Sequence, residues 1–181
     1  METKKRSLFV NALYYGLILG AIFIVISLLV YVFDINMFTI TFSIFNLLLN
    51  IALVIILFIL GANAYRDKSL GGKISYIQCF LTMLIIGVVA YILSLIYTYI
   101  FLKYWEPNML SVYHDKAIEM LVKMGLSEEQ MERALSRLEG KFTLSKSILT
   151  SVKNGAGMTI ILSLLVALFV KKDKTGQEIV M

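Results

Sequence analysis

The chain has one cysteine, one proline and one histidine in 181 residues. The lone Cys79 excludes an intrachain disulfide and carries no redox signal. The lone His114 excludes a histidine-rich metal centre, and with its neighbours Asp115 and Glu119 it reads as the exposed face of a helix. There is no Walker-type phosphate loop, since Gly71-Gly72 is only a turn signal, and there is no nucleophile–base constellation. The most telling lack is of charge. Leu8–Phe33, Thr39–Ala62 and Ile77–Leu102 contain no Asp, Glu, Lys, Arg or His, and Ile148–Val170 contains one charge, Lys153. A proton-coupled transporter needs buried carboxylates or histidines, which these runs do not supply. No cofactor is expected, and a stand-alone enzyme is the least supported of the functional classes.

What remains is strongly apolar: 59% of the residues are hydrophobic and the mean hydropathy is +0.84. About 20 apolar residues cross about 30 Å of hydrocarbon as a helix, so each of the four runs is long enough to span. The first run follows Lys4, Lys5 and Arg6, as a secretory signal would. It continues in bulky residues to Phe33 without a small-residue cleavage site, so it reads as a retained helix. The expected fold is all-α: a four-helix transmembrane bundle with an extracytoplasmic amphipathic hairpin between spans three and four. Residues 1–181 form one membrane domain, with spans at about 8–33, 39–62, 77–102 and 148–170 and an outer segment at about 103–147.

Basic residues in short connections set the orientation. The two tails and the second link hold nine basic residues against four acidic ones, while the opposite side balances at eight and eight. The whole net charge of +5 therefore lies on one face, which should be cytoplasmic. Both termini should then lie inside. Retention and attraction to anionic lipid account for that charge, so the isoelectric point of about 9.2 is no sign of nucleic-acid binding.

The outer segment carries seven basic and seven acidic residues. Leu110, Tyr113, Ala117, Met120, Leu121 and Met124 share one helical face. Gly125 suits a helix end, and Ser127 with Gln130 makes a capping box for a second helix. Met131, Leu135, Leu138 and Phe142 line the second apolar face. The hairpin either lies on the bundle mouth and lipid interface or docks a partner.

Small residues allow helices in lipid to approach closely. Gly16 and Gly20 form a GxxxG motif in the first span. In the fourth, Ser147, Ser151, Gly155, Thr159, Ser163 and Ala167 recur every four residues. In the third, Gly87, Ala90, Ser94 and Thr98 share a face. These faces should point inward, with the first and fourth spans in close contact. Asn46 and Asn50, one turn apart in the second span, read as glue between helices or as a polar lipid or substrate site. Lys153 with Asn154 reads as a snorkelling residue near the outer interface or as a contact for an anionic lipid.

The strings Tyr15-Gly16-Leu17-Ile18-Leu19-Gly20, Tyr65-Arg66-Asp67-Lys68 with Leu70-Gly71-Gly72-Lys73-Ile74-Ser75, Gln78-Cys79-Phe80, Ala117-Ile118-Glu119 and Met124-Gly125-Leu126-Ser127-Glu128-Glu129-Gln130 run along nearly the whole chain. Through them it resembles the bacterial domain-of-unknown-function family 4199. The resemblance implies a four-span inner-membrane protein and brings no activity. The leading expectation is a non-enzymatic accessory or scaffold subunit that contacts membrane lipid and binds a membrane or periplasmic protein or itself. The alternative is a lipid-handling or small transport protein assisting a polyprenyl-phosphate-dependent enzyme.

Overall fold

The computed structural model describes residues 7–37, 39–138 and 142–172. Within them the chain is helical: α1 (Leu8–Val32), α2 (Ile40–Ser69), α3 (Tyr76–Ile100), α4 (Met109–Lys123), α5 (Glu128–Leu138) and α6 (Leu144–Val170). A π-helical turn, Phe101–Trp105, extends α3. Four helices are long and apolar enough to cross a membrane: α1, α2, α3 with its π turn, and α6. The protein is therefore a multi-pass membrane protein.

The helix ends follow local chemistry. The Ser7 hydroxyl accepts from the Val10 amide and opens α1. Asp34 ends the turn after α1 at a φ of 45°, a left-handed conformation that Asp tolerates better than most residues. Gly71 and Gly72 take positive φ, and the Gly72 amide closes onto the Arg66 carbonyl to stop α2. Ser75 and Gln78 form a complete capping box on α3. Ser127 and Gln130 exchange the same two bonds ahead of α5, after Gly125 at φ 63°.

α3 is the central helix. It packs on α1, α6 and α2, whereas α1 and α6 form no interface of comparable extent. The expected close contact of the first and fourth spans is thus replaced by two separate contacts on α3. The reason lies in which large residues the small ones receive. A Cβ at Gly16 would lie 2.7 Å from Val89 Cβ and 2.9 Å from the Ile86 carbonyl oxygen, and one at Gly20 would lie 3.0 Å from the Ala90 carbonyl oxygen. On the other side of α3, Thr159 seats against Gly87 and Tyr91 lies across Gly155. The small row of α6 therefore meets its complement on α3.

The two faces of the molecule are unlike. At one, a single antiparallel bridge joins Ile74 to Lys172, bringing the link after α2 beside the end of α6. At the other, α4 lies over the turn after α1, with Lys116 Nζ 2.8 Å from Asp34 Oδ1. The Tyr31 hydroxyl there donates to Glu106 Oε2 at 3.2 Å, and Tyr31 meets Phe101 edge to face. We call these the tail face and the hairpin face.

Packing between the spans is uneven along their length. The buried residues of α1 run from Asn11 to Gly20, those of α2 from Leu57 to Ala62, those of α3 from Cys79 to Ala90, and those of α6 from Leu162 to Ala167. All four sets lie towards the tail face. Towards the hairpin face α2 is only partly covered: Phe45 is 60% and Leu48 61% exposed, against 0% for Phe58, while Phe42, Asn46 and Leu49 are half-buried. The spans pack most tightly towards the tail face, although α1 and α3 also meet at the hairpin face through Tyr31 and the buried Phe101.

Candidate functional site

Where the packing of the spans loosens, a cavity of about 270 Å³ lies between them, and all four helices contribute to its wall. α1 supplies Leu19 and Phe23, and α2 supplies Asn50, Ile51 and Val54. α3 supplies Gly87, Ala90, Tyr91 and Ser94, and α6 supplies Gly155, Met158 and Thr159. The two glycines create the room at this level by receiving Thr159 and the Tyr91 ring.

The wall is mainly apolar, and some of its polar groups are already engaged. The Ser94 hydroxyl donates to the Ala90 carbonyl at 2.9 Å. The Asn50 amide nitrogen donates to the Asn46 side-chain and backbone oxygens, both at 2.7 Å. The Tyr91 hydroxyl is buried without a hydrogen-bond partner, and Thr159 adds a further hydroxyl to the wall.

The structure separates the sequence-derived candidates. Asn46 and Asn50 bond to each other along α2, because a four-residue step stacks the two amides on one face. Asn50 also lines the cavity, whereas Asn46 does not. Lys153 and Asn154 are exposed and outside the cavity wall, although Gly155 beside them belongs to it. Gly16 and Gly20 lie against α3, Gly155 and Thr159 lie against α3 and line the cavity, and Ser163 is fully buried with an unpartnered hydroxyl.

Two residues carry more than the sequence suggested. The Asn11 side chain, 2% exposed, donates to the Gly61 carbonyl at 2.8 Å and ties α1 to α2. Its signal was a lone amide in an otherwise apolar run, one turn before Tyr15, which also meets Gly61. Tyr91 had no such signal: nothing in its spacing marks it among ten tyrosines.

Outside the spans, His114, Leu126, Met131 and Leu135 line an open groove of about 760 Å³ between α4 and α5. α5 has no buried residue and packs on α4, with no comparable contact to any span. Its surface is held by helical pairs such as Arg133 with Glu129. On α4, Lys123 bonds to Glu119 and holds its carboxyl below the usual range, while burial raises the Tyr113 phenol above its ordinary value, with a smaller contribution from Tyr97. Among the described residues no group of three or more His, Cys, Asp or Glu could hold a metal ion.

A family model described as "Protein of unknown function (DUF4199)" matches residues 14–172. The chain belongs to this family. The match runs from within α1 to just past α6 and takes in the cavity-lining residues and the α4–α5 hairpin. Neither the curated proteins nor the solved structures give a match.

Proposed function

We propose that this family member is a non-enzymatic accessory subunit of a bacterial inner membrane, and that its outer hairpin docks a protein partner. The observation that carries this reading is the position of α5. It is an amphipathic helix that buries no residue and packs on α4 alone to any extent. Its Met131 and Leu135 face an open groove instead of a span. An apolar face left open at the end of a membrane protein is a binding surface in search of cover. The orientation that accompanies this proposal has the tail face in the cytoplasm, supported by Arg66, Lys68, Lys73, Lys171 and Lys172 at that end.

The test is purification from native membranes in mild detergent, with wild type beside Met131→Asp/Leu135→Asp. The expected result is a stoichiometric companion protein, or a second copy of the chain, lost in the double variant while the thermal transition of the spans is unchanged. A free wild-type monomer with an intact hairpin contradicts the proposal.

A lipid-handling role is the second reading, and the cavity between the spans favours it. That reading does not draw on Lys153 and Asn154 as wall residues, because both lie outside the cavity.

A further inference from the structure

We propose that the cavity between the four spans binds one long hydrocarbon chain of a membrane lipid, admitted where α2 and α6 part towards the hairpin face. This holds whether or not the hairpin docks a protein.

The argument begins with what could fill the space. A cavity of about 270 Å³ is nearly twice the ~150 Å³ of an engineered apolar cavity that stays dry and admits benzene. Water needs two to four polar partners to settle in such a place. Here the Ser94 and Asn50 donors are spent on their own helices, the Tyr91 hydroxyl is itself buried, and the remaining hydroxyl of the mainly apolar wall is that of Thr159. Water is therefore a poor occupant and an apolar group a good one.

The cavity's surroundings decide which apolar group. Phe45 and Leu48 of α2, 60% and 61% exposed, and Leu149 and Val152 of α6 lie exposed on the hairpin-face side of the cavity. In a protein with four membrane-spanning helices, what covers such residues is lipid hydrocarbon. The cavity's own wall is only partly buried at Phe23, Asn50, Val54 and Met158, so the space is not sealed from that surrounding hydrocarbon. A chain entering it meets side chains from all four spans.

The experiment uses the full chain in vesicles with two photoactivatable diazirine probes: a phosphatidylglycerol labelled in mid-chain and a prenyl phosphate labelled in mid-chain. The expected result is cross-linking at cavity residues such as Phe23, Val54 and Met158. Val54→Trp and Met158→Trp, which fill the space, should each cut that labelling about tenfold, the change that ~1.4 kcal/mol of lost affinity produces. Gly157→Leu, which adds bulk where nothing lies within 4 Å, should leave it unchanged. Labelling by the phospholipid probe alone assigns an acyl chain, and labelling by the prenyl probe alone assigns an isoprenoid. Labelling spread evenly over the outward residues Ile161, Leu165 and Phe169, or cavity labelling untouched by a folded tryptophan variant, overturns the proposal. If both tryptophan variants fail to fold, the wild-type labelling map alone decides: concentration in the cavity supports the site and an even spread overturns it.

Discussion

At Gly16 the protein tolerates no side chain without movement of α3. The atoms a Cβ would meet include the Ile86 carbonyl oxygen, which belongs to a helix backbone and cannot turn aside as a side chain can. We expect Gly16→Leu to lower the melting temperature in detergent, with the ~1–3 kcal/mol of an overpacked core, and Gly157→Leu to leave it nearly unchanged. Asn11 works differently, through one bond between helices. Asn11→Leu should cost about 0.6 kcal/mol and no more than ~1.7, the range for such bonds in lipid, measured by unfolding in detergent. Tyr113 gives a pH dependence. Burial raises its folded pKa, so its contribution is intact below the unfolded value of ~10 and is lost as pH rises through the higher folded value. α4 should therefore loosen in alkaline buffer, and Tyr113→Phe should remove that step from a pH titration followed by tyrosinate absorbance.

Helix by helix, the elements differ in how much of the molecule depends on them. α5 leans on α4 and on no span to a comparable extent. A proline within it breaks a helix at a cost of about 3 kcal/mol, yet Ala134→Pro should remove α5 helicity while the thermal transition of the spans stays in place. Circular dichroism with a melting curve checks both. The existence and kind of these elements were legible in the sequence because charge-free runs and capping pairs are local signals: the Ser75–Gln78 and Ser127–Gln130 boxes form as their spacing requires. The partner of each span was not legible. A GxxxG face says that something approaches closely but not which helix, so α1 could be assigned to α6 when its receiving residues, Val89 and Leu93, lie on α3. The cavity was hidden for a related reason. Its polar residues Asn50, Tyr91, Ser94 and Thr159 sit on three helices, and only the tertiary arrangement brings them together.

For the whole molecule, the main feature is the gradient of packing from one face to the other. Near the tail face, Phe58, Met83, Ile86 and Ala167 are fully buried and the spans hold each other. Near the hairpin face, α4 lies over the turn after α1 and shares a groove with the start of α2, whose Phe45 and Leu48 are largely exposed. This gradient makes room for the cavity and leaves lipid as the neighbour of its opening. The most direct test is a nitroxide scan along α2, from Phe45 to Ala62, in a Cys79→Ala background in lipid vesicles. Accessibility to dissolved oxygen should be high at Phe45, Leu47 and Leu48 and should fall to a low level at Leu57, Phe58, Gly61 and Ala62. The same low level at Phe45, Leu47 and Leu48 would mean that the spans are closed throughout, and would contradict both the gradient and the cavity that depends on it.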